Sequence, residues 1–68
     1  MYGERIRELR TEKGLTQAEL AKALNTTQRN ISKYETEYLD LSTDLIIRLC
    51  NYFSVSADDL LGLSDDID

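Results

Sequence analysis

Apolar residues recur along this chain at intervals of three and four, and β-branched residues do not alternate with polar ones over any useful length. This spacing is typical of amphipathic helices. No proline interrupts it. The pattern therefore predicts an all-α protein of five short helices. The positions expected to face inward are Ile6 and Leu9, then Leu20, Ala21 and Leu24, then Ile31 and Tyr34, then Ile46, Leu49, Cys50 and Phe53, and finally Leu60, Leu61 and Leu63.

Glycine and capping residues mark the ends of the first two helices. The first runs from residue 2 or 3 to residue 12 and ends at Gly14, because glycine accepts the left-handed backbone of a helix C-terminus. Thr16 and Glu19 have the spacing of a capping box, in which each side chain accepts from the other residue's backbone N–H. Asn25 follows the second helix and tolerates positive φ better than most residues.

Polar residues also open the last three helices. The expected N-caps are Thr26 or Thr27 for the third helix, Ser42 or Thr43 for the fourth, and Ser56 for the fifth. The third helix ends near residue 35 or 36, and the fourth ends at Phe53. Ser56 and Asp59 have the spacing of a second capping box. The loop over residues 37–41 carries no strong turn signal.

The composition is that of one small soluble domain. The chain has 68 residues, of which 41% are apolar, and no apolar run approaches the roughly 18 residues that cross a membrane. We expect one domain over residues 1–63 and a solvated acidic tail over residues 64–68. A single cysteine and no secretion-signal pattern make the cytoplasm the expected compartment.

Charge is unevenly distributed along the chain. Residues 1–35 hold seven Lys or Arg and five acidic residues, a net charge of +2, whereas residues 36–68 hold one Arg and eight acidic residues, a net charge of −7. The net charge of −5 is unusual for a protein that binds nucleic acid. The segregation nevertheless leaves the N-terminal half suited to a polyanion.

Residues 17–36 form the most informative pattern, a short helix, a turn at Asn25 and a second helix. Ala21 is small at the point where the two helices must approach closely. Such a helix-turn-helix leaves its second helix exposed and able to enter a DNA major groove about 12 Å wide. At 100° per residue, the side of that helix opposite its buried face carries Arg29, Ser32 and Lys33, with Gln28 beside them.

The sequence resembles the Cro/phage-repressor (Xre) family of helix-turn-helix proteins from Ile6 to Gly62. The matching segments are IRELRTEKGLTQAELAKAL, NTTQRNISKYE and LCNYFSVSADDLLG. The resemblance implies a compact, five-helix, lambda-repressor-like domain. It also implies a small transcriptional regulator, acting mainly as a repressor, that binds duplex DNA sequence-specifically as a homodimer on an inverted repeat.

The resemblance assigns roles to residues of the second and third helices. The expected base-reading residues are Gln28, Arg29 and Lys33, joined by Ser32 on the same face. The expected phosphate contacts are Gln17, Thr27 and Asn30, with Tyr38 as a further hydroxyl donor. Arg10 and Glu35 match a pair that forms a structural salt bridge in related repressors.

Two departures from the family pattern affect these expectations. Asn25 stands where the family usually has glycine, and we expect it to adopt the turn at small cost. The loop that is often basic in the family contains Glu37 and Asp40, which repel phosphate if they face it. We therefore predict fewer phosphate contacts, weaker affinity and a shallower salt dependence than a basic relative would show.

Several interpretations stay open. Leu39, Leu41, Leu45 and Tyr52 lie outside the main apolar stripes, and they either complete the core or form a dimer surface. The acidic C-terminal half suits an alternative function, a protein-interaction module such as an antitoxin or antirepressor. An enzyme is not expected, because no His is present and the one Cys lies on an apolar stripe. No metal site or cofactor is expected either.

Overall fold

The computed structural model describes residues 2–62 and shows five helices with no strand among them. The helices are α1 (Tyr2–Glu12), α2 (Gln17–Ala23), α3 (Gln28–Glu35), α4 (Thr43–Phe53) and α5 (Ala57–Leu61). The predicted all-α, five-helix architecture is confirmed. Leu63 and the predicted acidic tail over residues 64–68 lie outside the described residues.

Side-chain caps start four of the helices. The hydroxyls of Thr16, Thr27, Ser42 and Ser56 accept hydrogen bonds from the backbone N–H groups of Glu19, Asn30, Leu45 and Asp59. The capping box of α2 is complete, because the Glu19 carboxylate accepts from the Thr16 N–H at 2.8 Å. The second predicted box is not, since the Asp59 carboxylate accepts from Arg5 Nη2 of α1 at 2.9 Å instead. An aspartate side chain is one methylene shorter than a glutamate, and Arg5 offers it a charged partner.

The first four helices end in tight left-handed turns. The residues at positive φ are Gly14 (75°), Asn25 (59°), Glu37 (63°) and Ser54 (58°). The next residue in each turn donates its N–H to a carbonyl five positions earlier, Leu15 to Arg10, Thr26 to Ala21, Tyr38 to Lys33 and Val55 to Cys50. This is the main hydrogen bond of a Schellman motif. The turns at Gly14 and Asn25 were predicted, whereas those at Glu37 and Ser54 were not.

The core lies between all five helices. Its buried residues are Ile6, Leu9, Leu20, Ala21, Leu24, Ile31, Leu45, Leu49 and Leu60. Tyr34, Ile46, Cys50 and Phe53, which were also expected inside, are half-buried against this cluster. Leu45 is only 5% exposed because it lies one helical turn before Leu49 on the same face of α4. It therefore completes the core and is not part of a dimer surface on the folded monomer.

None of the helices in the described part of the chain is long and apolar enough to cross a membrane.

Candidate nucleic-acid interface

The α2–α3 pair packs through small and aliphatic side chains. Leu20 and Ala21 of α2 and Ile31 of α3 are each at most 3% exposed. Between the helices, Asn25 takes the left-handed conformation at φ 59° and Thr27 is extended at φ −109° and ψ 155°. These two backbone states redirect the chain within a few residues. They leave one long side of α3 at the surface of the protein.

The four predicted base-reading residues all remain accessible on α3. Gln28 and Arg29 are exposed, and Ser32 and Lys33 are half-buried. The Lys33 ammonium lies 5.6 Å from the centroid of the Tyr38 ring, so its side chain follows the surface toward the end of the helix. This side of α3 therefore presents two cations, an amide and a hydroxyl.

Three of the four predicted phosphate contacts, Thr27, Asn30 and Tyr38, lie near the start and the end of α3. The Thr27 hydroxyl accepts from the Asn30 N–H at 3.1 Å, which leaves its own proton for an external acceptor. The Asn30 amide donates to Thr26 Oγ1 at 3.0 Å. Tyr38 is 75% exposed, beyond the C-terminus of α3. Each of these side chains retains a polar hydrogen with which it can contact a phosphate oxygen.

An ionic network with little solvent exposure joins the first three helices. Arg10 Nε donates to Glu35 Oε2 at 2.6 Å, and the two side chains are 12% and 5% exposed. Arg10 Nη1 also donates to the Leu15 carbonyl at 2.8 Å. Gln17, the first residue of α2, donates its amide to Glu35 Oε1 at 3.0 Å. The network ties α3 to both preceding helices, and the Gln17 bond was not foreseen from the sequence.

The turn after α3 is held by the start of α1. The Glu37 carboxylate accepts from the Gly3 N–H at 3.0 Å, a favourable place for a negative charge because helix N-termini carry partial positive charge. The Tyr2 hydroxyl donates to the Leu39 carbonyl at 2.8 Å. Burial, and then the nearby charges of Asp40 and Glu37, raise the pKa of Tyr2. Glu37, which was expected to repel phosphate if it faced DNA, thus has its carboxylate bound at the N-terminus of α1.

The remaining candidate dimer residues lie partly at the surface. Leu39, Leu41 and Tyr52 are half-buried. The Tyr52 ring packs edge-on against Phe53 at 5.1 Å between ring centroids. Among the described residues, the large hydrophobic side chains that are mostly exposed are Tyr38 and, on α4, Ile47 at 53%. Ile47 was not singled out from the sequence.

Catalytic features are sparse in the described part of the chain. Residues 2–62 contain no group of three His, Cys, Asp or Glu side chains arranged to hold a metal ion. Burial, with a smaller effect from Asp59, raises the pKa of the half-buried Cys50 thiol, which disfavours the nucleophilic thiolate. A groove along α1, lined by Glu4, Arg7, Glu8 and Thr11, is open to solvent.

An exposed helix held by a short partner helix across a left-handed turn defines a helix-turn-helix protein. The helix-turn-helix family model matches residues 6–60, and the chain belongs to this family, as the resemblance to Cro and phage repressors predicted. The chain is 45% identical over 60 residues to the HTH-type transcriptional regulator ImmR of Bacillus subtilis (strain 168). That match covers 88% of this chain and 47% of ImmR.

Two further comparisons extend this result. Antitoxin PezA of Streptococcus pneumoniae serotype 4 is 37% identical over 62 residues, which cover 91% of this chain and 39% of PezA. The chain thus spans less than half the length of either curated relative. The P22 c2 repressor protein, solved in complex with synthetic operator 9T, superposes with a TM-score of 0.86 at 28% identity, over 94% of this chain and 97% of that one.

Proposed function

We propose that this chain binds duplex DNA sequence-specifically and acts as a transcriptional regulator, principally a repressor that excludes polymerase from a promoter. The observation that carries the proposal is the accessible side of α3, held by α2 and by the Arg10–Glu35 pair. The superposition on the P22 c2 repressor protein, solved in complex with a synthetic operator, supports it, because that repressor shares this fold.

Base reading is assigned to the outer side of α3. Arg29 and Lys33 can donate to guanine O6 and N7, and Gln28 can pair with adenine N6 and N7. Ser32 lies between them and can serve as donor or acceptor. The exposed positions of Arg29 and Gln28 support their role, since neither side chain has to leave a packed site to reach a base.

Backbone contacts are assigned to Gln17, Thr27, Asn30 and Tyr38, which set the register of α3 on the duplex without reading sequence. The loop after α3 supplies no cation, and Asp40 is exposed there. Each phosphate that a protein neutralises adds about 0.9 to the salt slope. We therefore keep the prediction of a shallow slope and modest affinity.

The binding unit is a homodimer on an inverted repeat. Two copies place their α3 helices about 34 Å apart, one turn of DNA. Leu39, Leu41 and Tyr52 are the apolar candidates for its contact surface. Sedimentation equilibrium tests this assembly: Leu41→Asp should shift the protein toward monomer, and an unchanged dimer would remove Leu41 from the interface.

The decisive experiment selects bound duplexes from a random pool at a stated salt concentration. Arg29→Ala and Lys33→Ala are then compared with Arg7→Ala, which removes an exposed arginine from α1, where it lines a groove with Glu4, Glu8 and Thr11. A base-reading residue should cost about 1–3 kcal/mol at one position of the site, and Arg7→Ala should cost less with unchanged preference. Unchanged affinity and selectivity in both α3 variants would rule out the assignment.

The alternative, a protein-interaction module such as an antitoxin or antirepressor, is less well supported. The repressor–operator neighbour and the family match favour DNA binding, although PezA is among the relatives. A stable protein partner, together with no shift of any duplex at low salt, would reverse this preference.

The lone thiol of Cys50 is consistent with the reducing cytoplasm as the site of action.

A further inference from the structure

The end of α3 places Tyr38 directly against Lys33. The Tyr38 N–H donates to the Lys33 carbonyl at 2.8 Å, and the Leu39 N–H donates to the same oxygen at 3.3 Å. Glu37, the residue directly before Tyr38, is left-handed at φ 63°. In a Schellman motif, the residue after the left-handed one folds back against the last turn of its helix. The Lys33 ammonium accordingly lies 5.6 Å from the centroid of the Tyr38 ring.

This placement is built into the fold rather than left to a loose loop. The Glu37 carboxylate is bound by the Gly3 N–H at 3.0 Å, and the Leu39 carbonyl is bound by the Tyr2 hydroxyl at 2.8 Å. The residues on both sides of Tyr38 are therefore anchored to α1. Tyr38 as a whole residue is 75% exposed, so burial of its own surface does not explain its position.

We propose that Tyr38 is a positioning residue for Lys33, and that its ring sharpens the base preference that Lys33 imposes. A lysine side chain has four flexible bonds, and restricting it before DNA binds lowers the entropic cost of a specific contact. The negative face of the ring supplies that restriction through a cation–π contact. The inference rests on the proposed function, because it concerns how α3 reads bases.

The ring and the hydroxyl of Tyr38 make different predictions. Tyr38→Phe keeps the ring and loses the hydroxyl, so it weakens binding to all duplexes alike if the hydroxyl contacts phosphate. Tyr38→Leu also loses the π face. We expect Tyr38→Phe to retain the selectivity of the wild type. Tyr38→Leu should lower the preference at one base pair by about two- to fivefold, the size of an exposed cation–π contact.

The experiment measures affinities of the full chain for its selected duplex and for single-base variants of that duplex. In a Lys33→Met background, Tyr38→Leu should change no base preference further. Lys13→Met is the matched control for Lys33→Met. It also removes a lysine ammonium near a tyrosine ring, 5.5 Å from the Tyr52 centroid, but outside α3. Equal selectivity of Tyr38→Leu and wild type would overturn the inference, as would an equal loss of selectivity in Tyr38→Phe and Tyr38→Leu.

A second readout needs no DNA. Ring-current shifts of the Lys33 ε-methylene protons in the unbound protein should persist in Tyr38→Phe and vanish in Tyr38→Leu. If the wild type shows no such shifts, the contact itself is contradicted.

A wild-type chain that selects no duplex overturns the proposed function and this inference with it. Selective binding with unaltered preference in Tyr38→Leu overturns only the positioning role. Melting curves of both variants establish that they are folded.

Discussion

Gly3 lies where α1 meets the C-terminal end of α3, and no side chain fits there. A Cβ atom on Gly3 would lie 2.3 Å from the Glu35 carbonyl oxygen and 2.8 Å from Glu37 Cγ. Ordinary contacts begin at 3.4 Å. The Glu35 oxygen belongs to the backbone of α3 and cannot rotate away. Gly3→Ala therefore forces α1 and α3 apart by about 1 Å, a distance on the scale at which close-packed interiors lose contacts.

The cost of Gly3→Ala follows from three contributions. Overpacking by one methyl group costs about 1–3 kcal/mol, and loss of the hydrogen bond from the Gly3 N–H to the charged Glu37 costs about 1.5–3 kcal/mol. Alanine's better helix propensity offsets about 1 kcal/mol. We expect a net loss of about 1.5–5 kcal/mol, a large share of the roughly 3–10 kcal/mol available to a chain of this length.

Urea unfolding and thermal melting followed by circular dichroism measure this loss, which should lower the melting temperature by about 4–8 °C for each kcal/mol lost. Gly14→Ala is the control. Unlike Gly3, Gly14 has a positive φ, 75°, but nothing lies within 4 Å of its added Cβ, so only backbone strain of about 1–2 kcal/mol is expected. Amide chemical shifts of residues 35–37 should move in Gly3→Ala alone. A Gly3→Ala protein that melts at or above the wild type would refute the reasoning.

Three further predictions concern stability. Arg10→Met should cost about 3–5 kcal/mol in urea unfolding, because it leaves the Glu35 side chain, only 5% exposed, without its cation. Asp44→Asn breaks the exposed pair between Asp44 and Arg48 of α4 and should cost under about 0.5 kcal/mol; equal losses would contradict this. Ser54→Gly should raise the unfolding free energy by about 0.5–1 kcal/mol, because glycine adopts φ 58° without strain; a lower melting temperature counts against it. Because its pKa is raised, Cys50 should be alkylated more slowly in the native protein than in the urea-unfolded protein, both at pH 9; equal alkylation rates would argue against a raised pKa. The contribution of Cys50 to stability should decline as the pH rises above its ordinary pKa of 9.0, because the native state retains the proton that the unfolded state releases.

Local chemistry was enough to predict the five helices and most of their ends. A threonine or serine hydroxyl caps the N–H groups of its own first turn. Gly14 adopts positive φ because it lacks a Cβ atom, and Asn25 does so through its short polar side chain. These interactions span a few residues, so the sequence contains all their partners in order. The outer side of α3 followed in the same way, because helical periodicity places Arg29 opposite Ile31 whatever α3 packs against.

The tertiary structure decided the features whose partners lie far apart in the chain. Glu37 is left-handed and turned toward α1 because the Gly3 N–H, 34 residues earlier, stabilises that arrangement. Gln17 is bound to Glu35 across 18 residues. Neither side chain shows its role by its own local preference, since the deciding contacts form only when the helices pack.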